Sequence, residues 1–298
     1  MKIGPVDIHW GSRTLVMGII NLTPDSFSGD GLLAEREDAP AGEPGFIARA
    51  LEQAQLFIEA GADIIDIGGE STRPGAQPVT AQEEASRVIP VVQALLRAGN
   101  TAISVDTYHA STAEAALSAG AHLINDVWGL RADPDLAAVV AAHGAPVVLM
   151  HNRSSWATSE VKERLGGRYI GAPYVNLIAD VRRELLESVE LAHAAGVTDG
   201  QIILDPGIGF GKTVEQNLEL VDRLGEICEL GYPVLLGPSR KSFIGYTLDL
   251  PPGERLEGTA AAVAIGIARG ADIVRVHDVT EMRRVVRMAD AIVRRSSY

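Results

Sequence analysis

The sequence predicts an α/β fold, a (β/α)8 TIM barrel with its active site at the C-terminal mouth. Three observations carry that expectation. Alanine-rich amphipathic stretches alternate with short apolar runs along the chain. Four of those runs follow a Gly-Ala pair, in GADIIDIGGE (61–70), GAHLINDVWG (120–129), GAPVVLMHN (144–152) and GADIVRVHD (270–278). Each run then ends in polar or acidic residues. Glycine just past a helix closes it in the left-handed conformation, and a short apolar run between helices is a parallel strand covered on both faces. Eight such units favour a closed barrel; an open doubly wound sheet is the alternative. A chain of 298 residues suits one barrel, so 1–298 is taken as a single domain.

The elements follow in order. A short β-rich lead (3–10) precedes the first strand, LVMGIIN (15–21), which ends in Asn21. The second strand ends in Asp66 and runs on into Gly68-Gly69-Glu70. The third, AISVD (102–106), ends in Asp106, and the fourth in Asn125-Asp126. The fifth ends in His151 and the sixth, QIILD (201–205), in Asp205. The seventh, YPVLLG (232–237), leads to Ser239-Arg240-Lys241, and the eighth carries Arg275 and His277. Long excursions follow strand one (22–48) and strand five (151–180); loops of that length in a compact domain are usually functional or mobile. In a barrel all eight strand ends meet at one mouth, so they form a polar ring around one cavity.

The ring has two kinds of chemistry. Asp106, Asn125 and Asp205, with Lys241, form a buried set. A buried carboxylate needs donors to offset its desolvation, and the paired N–H groups of an amino-pyrimidinone edge match one carboxylate in bidentate fashion. This set suits a fused heterocycle such as a pterin or purine. Ser71-Thr72-Arg73, Arg275 and His277, with Asn21, suit a phosphate or pyrophosphate, and Asn21 suits a Mg²⁺ carried with it. There is no H-E-x-x-H motif and no pair of histidines at helical spacing, which argues against a catalytic zinc. There is no G-x-S-x-G elbow for a serine nucleophile.

LDPGIGFGKT (204–213) imitates a phosphate-binding loop, but the spacing fails. A Walker loop would need glycine where Pro206 stands, and a G-x-G-x-x-G fingerprint would need its third glycine one residue later than Gly211. Lys212 is expected to be solvated or set behind the site.

Composition bounds the function. Hydrophobic residues at 46% and charged residues at 22% are those of a soluble globular protein. A net charge of −13 argues against nucleic acid and anionic membranes as partners. Cys228, the only cysteine, rules out an intrachain disulfide and a Cys-rich zinc site. The N-terminus lacks a signal-peptide core, and no run approaches the roughly 18 apolar residues of a membrane span. A cytoplasmic enzyme is expected.

Seven motifs in order, GIINLTPDSFSGDG (18–31), IDIGGESTRPGA (65–76), SVDT (104–107), IND (124–126), LDPGIGFGKT, GPSRKSF (237–243) and RVHDV (275–279), strongly resemble dihydropteroate synthase, a pterin-binding enzyme family. The resemblance runs from about residue 3 to 295. It implies a (β/α)8 barrel, commonly a homodimer, that uses Mg²⁺. Such enzymes join 7,8-dihydropterin-6-ylmethyl pyrophosphate to 4-aminobenzoate in folate biosynthesis, releasing pyrophosphate. By resemblance, Asp106, Asn125, Met150, Asp205, Phe210, Gly237 and Lys241 hold the pterin. Asn21, Thr72, Arg73, Arg275 and His277 hold the pyrophosphate, with Asn21 as the Mg²⁺ ligand. Phe27, Thr72, Pro74, Phe210 and Ser242 border the aminobenzoate. Asp106, Asp205, Lys241, Arg275 and His277 then carry catalysis, expected to be a dissociative, SN1-like substitution.

This sequence departs from the family pattern in two places. AEREDAPAGEPG (34–45) and the stretch after VLMH, within 152–176, are longer than usual. Both are expected as surface excursions, with a cover over the mouth as the alternative. His9, His109, His122, His143 and His193 match no motif and are expected to be structural or solvated. A methyltransferase acting on a methylated folate, or a non-catalytic pterin-binding paralogue, would be the competing functions. The methyltransferase would not need TPDSFS, ESTRPG or SRKSF, and all three are intact; the paralogue should have lost a clamp residue, and none is missing.

Overall fold

Branched aliphatic residues dominate each apolar run, and in the computed structural model each run is a strand. The structure describes residues 1–23, 44–71, 76, 78–99, 101–155, 159–162 and 164–295. The lead forms a small antiparallel hairpin of β1 (Lys2–Ile3) and β2 (Val6–Asp7). The barrel strands that follow are β3 (Leu15–Asn21), β4 (Ile64–Gly68), β5 (Ala102–Asp106), β6 (Leu123–Asp126) and β7 (Val147–Met150). An antiparallel pair, β8 (Ser159–Lys162) and β9 (Gly166–Tyr169), interrupts them. The barrel resumes with β10 (Ile202–Asp205), β11 (Leu235–Leu236) and β12 (Ile273–Val276). Helices α1 (Pro44–Glu59), α2 (Ala81–Ala98), α3 (Ala110–Ser118), α4 (Leu136–His143), α5 (Leu177–Ala194), α6 (Val214–Asp222), α7 (Leu224–Cys228), α8 (Ser242–Leu248), α9 (Leu256–Ala268) and α10 (Val279–Val293) lie between and after the strands.

All eight strands of the large sheet are parallel, in the order β10-β7-β6-β5-β4-β3-β12-β11. A single bridge, Leu204 to Val234, joins β10 to the residue just before β11 and closes the barrel. The open-sheet alternative is thereby excluded.

Two separate apolar clusters explain how the barrel places the site. The larger lies between strands and helices. The smaller fills one end of the barrel with Leu15, Met17, Ile64, Ala102, Leu123, Val148, Ile203, Leu235 and Ile273. Ile3 and Ile8 from the lead pack into it and plug that end. Strand side chains alternate faces with a period of two. Counting on by two or four from these inward residues reaches Asn21, Asp66, Asp106, Asn125, Met150, Asp205, Gly237, Arg275 and His277. The floor of the barrel is therefore apolar and the layer above it polar.

The excursion after strand five carries an antiparallel hairpin, β8–β9, which packs against α8 and leaves most of its residues half-exposed or exposed. Arg255 Nη2 donates to Leu165 O at 2.7 Å, Arg164 pairs with Asp249, and the Arg168 guanidinium lies 4.3 Å from the centre of the Tyr246 ring. Buried Tyr169 stacks beside Phe210, with 6.2 Å between ring centres. In the 34–45 excursion, positions 34–43 lie outside the described residues, and α1 begins at Pro44.

Candidate active site

Arg275 organises the polar layer. Its Nε donates to Asp66 Oδ2 and its Nη2 to Asp106 Oδ2, both at 2.6 Å. Asn125 Nδ2 donates to the same Asp66 oxygen at 3.2 Å. Asp66 is fully buried, and its Oδ1 has no hydrogen-bond partner among the described residues. Burial pushes the Asp106 carboxyl up to about 7; Arg275 opposes this, while Asp66, Glu84 and Asp126 add to it. The two chemistries separated in the sequence thus meet here: Arg275, assigned to the anion, is already bound to the carboxylates. Its Nη1 makes no hydrogen bond among the described residues and remains available to an anion.

That perturbation has a measurable sign. Asp106 holds its proton more tightly in the folded chain than at the ordinary value of 3.8. The resulting stabilisation is complete in acid and is lost as pH rises through about 7. Comparing thermal midpoints of the unliganded chain with those of Asp106→Asn isolates it. The difference should move in favour of the asparagine variant between about pH 5 and pH 8. A pH-independent difference would contradict the assignment.

LDPGIGFGKT folds as a tight loop rather than a phosphate cradle. Gly207, Gly209 and Gly211 have φ of 71°, 84° and 67°, a region that side chains rarely adopt. A Cβ at Gly207 would sit 1.8 Å from His151 O. Gly207→Ala is therefore expected to cost about 3 kcal/mol or more and to lower the thermal midpoint by about 5 °C or more; differential scanning calorimetry checks it. Thr213 accepts from Gln216 N at 3.2 Å, and Gln216 Oε1 accepts from Thr213 N at 2.9 Å. The Lys-Thr pair that suggested a nucleotide loop is thus a helix start, the capping box of α6.

Asp205 ends β10 and is 5% exposed. Its Oδ1 accepts from Gly207 N at 2.7 Å. Burial raises its pKa, while Lys241 pulls it back. Lys241 donates to Ile208 O, and its Nζ lies 4.5 Å from the Phe210 ring centre. Burial lowers Lys241 to about 8. Arg240, at φ 56°, turns away to pair with Asp278, which separates Ser239 from Lys241. Ser239 Oγ accepts from His277 N at 3.1 Å and meets His277 Nδ1 at 3.0 Å, fixing that ring. Ser242 opens α8 beside Lys241.

The structure brings Asn21, Asp106, Asn125, Met150, Asp205, Gly237, Arg275 and His277 to the C-terminal ends of the barrel strands, with Phe210 and Lys241 on loops and Ser242 at the start of α8. Phe27, Thr72, Arg73 and Pro74 lie outside the described residues. A cavity of about 300 Å³ opens beside this layer, among Glu70, Tyr108, Trp128, Arg131, Tyr169 and Phe210. Asp106 and Asp205 do not line it, and the buried polar layer, with its convergent charges, is the better candidate for chemistry.

A pterin inside an α/β barrel is the expectation, and the comparisons agree. The family described as pterin binding enzyme matches residues 17–277. A dihydropteroate synthase of Clostridium beijerinckii is 48% identical over 296 residues, 99% of this chain and 100% of its own. The chain belongs to the dihydropteroate synthase family. The dihydropteroate synthase of Bacillus subtilis is 50% identical over 97% of this chain and 92% of its own. Two solved dihydropteroate synthases share the fold. That of Clostridium difficile, solved with pteroic acid, has a TM-score of 0.84 at 44% identity, covering 97% of this chain and 100% of its own. That of Yersinia pestis, solved with a sulfonamide drug, has a TM-score of 0.85 at 38% identity, covering 98% of each.

Sequence reasoning places Asp66 in the polar ring but gives it no partner; its inward register in the otherwise apolar strand IIDIG is the signal. It misses Tyr169, which sits in a stretch with no apolar alternation, and nothing marks it. Of the two placements expected for Lys212, solvated or set behind the site, the structure shows the second: it is 2% exposed, beneath the 204–213 loop.

Proposed function

We propose that the chain condenses 7,8-dihydropterin-6-ylmethyl pyrophosphate with 4-aminobenzoate, giving 7,8-dihydropteroate and pyrophosphate in folate biosynthesis. The observation that carries this reading is the polar layer of Asp66, Asp106, Asn125, Asp205 and Arg275 above a closed apolar floor. Asp205 takes the amino-pyrimidinone edge; Asn125, Asp106 and Lys241 take the remaining ring heteroatoms; Met150 and Gly237 border the ring. Arg275 and His277, with Asn21, Thr72 and Arg73, hold the pyrophosphate. Phe27, Thr72, Pro74, Phe210 and Ser242 receive the aminobenzoate.

Charge sets the mechanism. The bond from the exocyclic carbon to the pyrophosphate oxygen breaks first, with its electrons leaving on pyrophosphate. Arg275 and His277 spread that charge, and Asp106 and Asp205 favour the cation left on the pterin. The aniline nitrogen then bonds to the carbon and loses its proton to water or pyrophosphate, so no strong base is required. Asn21 offers one neutral oxygen at the end of β3, and no group of three or more His, Cys, Asp or Glu suited to a metal occurs among the described residues. That donor set fits Mg²⁺ held chiefly by pyrophosphate and water. When bound, Mg²⁺ would neutralise charge on the leaving group.

The test is pyrophosphate release that requires both substrates in the presence of Mg²⁺. No release would refute the reading, and a secondary isotope effect typical of a tight displacement would refute the dissociative step. Sulfonamides, as aminobenzoate mimics, should compete with that substrate. A homodimer is inferred from exposed Ile265 on α9 and Met288 and Ile292 on α10, and sedimentation equilibrium checks it. No helix among the described residues is long and apolar enough to cross a membrane; a cytoplasmic location is part of the proposal.

A further inference from the structure

Lys212 is the most deeply placed cation of the pterin loop, and the proposed chemistry leaves it unused. Its Nζ meets Gly207 O at 2.8 Å, Phe210 O at 3.0 Å and His151 Nδ1 at 3.0 Å. An ammonium has three protons and no acceptor, so these contacts use all of them and make His151 Nδ1 the acceptor. The His151 proton is then on Nε2, which donates to Glu184 Oε2 at 3.1 Å. Glu184 is held in turn by Arg153. His151 N donates to Asp205 O at 2.9 Å, joining the ends of β7 and β10. Asn217 of α6 holds the outer side of the loop, accepting from Gly209 N at 2.6 Å.

We propose that Lys212 is a positioning residue for pterin binding: its buried ammonium draws the Gly207 and Phe210 carbonyls onto His151 and so fixes the Asp205 carboxylate and the Phe210 ring. This rests on the pterin reading above. Both substrate-facing groups flank the carbonyls that Lys212 holds. The cation also lies behind Asp205 and lowers that carboxyl's pKa, favouring the charged acceptor that the heterocycle needs. Burial lowers Lys212 itself to about 7; Lys241 and Arg153 add to this, and Asp205 and Glu184 oppose it. Burial and Lys212 together hold His151 near 3, so it stays the neutral acceptor.

The experiment compares Lys212→Met, which keeps shape without donors, with Lys212→Gln, which keeps two N–H donors without charge. Calorimetric titrations use 6-hydroxymethylpterin and, separately, pyrophosphate with Mg²⁺. Pterin affinity should fall about tenfold or more in the methionine variant and recover in part with glutamine, while pyrophosphate affinity changes less than about twofold. Unchanged pterin affinity, or equal loss of both ligands, overturns the proposal. If neither variant folds, ¹⁵N spectra of the unsubstituted chain decide. At about pH 5, where Lys212 keeps its proton, a slowly exchanging lysine ammonium that shifts with pterin, and not with pyrophosphate, is expected; its absence overturns the proposal. Catalysis by the unsubstituted chain separates the two readings. If it is inactive, the function fails; if it is active and the methionine variant binds pterin normally, only the role of Lys212 fails.

Discussion

Asp205→Asn is expected to lower kcat/KM for the pterin substrate by about 10²–10³-fold while leaving the fold intact. Asp205 Oδ1 already accepts from Gly207 N, and Oδ2 makes no hydrogen bond among the described residues. A carboxylate can therefore still receive two N–H donors from the amino-pyrimidinone edge. An asparagine turns one acceptor into a donor and sets it against a ligand donor. Two charge-assisted hydrogen bonds at about 1.5–3 kcal/mol each set the size of the loss. Asparagine Oδ1 can keep the bond from Gly207 N, and a neutral group is cheaper to bury than a carboxylate. The thermal midpoint should thus hold or rise while activity falls. Steady-state kinetics with calorimetry checks both; a parallel loss of stability and activity would mean that Asp205 serves the fold.

Arg275→Met should have the largest combined effect. Arg275 touches two buried carboxylates, and one oxygen of Asp66 has no partner among the described residues even with the arginine present. Removing one member of a buried ion pair leaves an uncompensated charge, which costs about 3–5 kcal/mol. Activity should fall at least as far as in Asp205→Asn, because the same change removes the pyrophosphate contact proposed for Arg275. The pH dependence distinguishes this from a packing defect. Without Arg275 the Asp106 pKa rises further above its unfolded value, so the cost is present at neutral pH and relieved as the carboxyl gains its proton. The gap in thermal midpoint between parent and variant should narrow from about pH 8 to pH 5. A gap constant over that range would sink the explanation.

Which residues face the barrel is legible in the chain; which residue pairs with which is not. The strand ends place Asp106, Asn125, Asp205 and Arg275 at the mouth from sequence alone, and the apolar layer beneath them in the structure shows that they point inward. The pairing of Arg275 with Asp66 spans 209 residues. No local spacing says whether that arginine meets a carboxylate or waits for an anion. The sequence leaves Lys212 either solvated or set behind the site, and it cannot choose between them for a related cause. Lysine is usually solvated, and here its burial depends on two carbonyls freed by left-handed glycines and on a histidine from the neighbouring strand. The β8–β9 hairpin is illegible because its strands, SEVK and GGRY, carry no buried alternating face; Arg164 and Arg168 secure it to α8, and the Leu165 carbonyl to Arg255 before α9.

The closing bridge of the barrel has a thermodynamic consequence. β3 and β4 are registered through five residue pairs, from Met17–Ile64 to Asn21–Gly68, whereas β10 meets β11 through Leu204–Val234 alone. Asp205 stands on one side of that seam, and Lys241 follows the strand on the other. A heterocycle held as proposed by both residues would be a crossbar over the least-zippered join of the cylinder. Part of its binding free energy would become resistance to opening there, so occupancy and rigidity of the barrel would rise together.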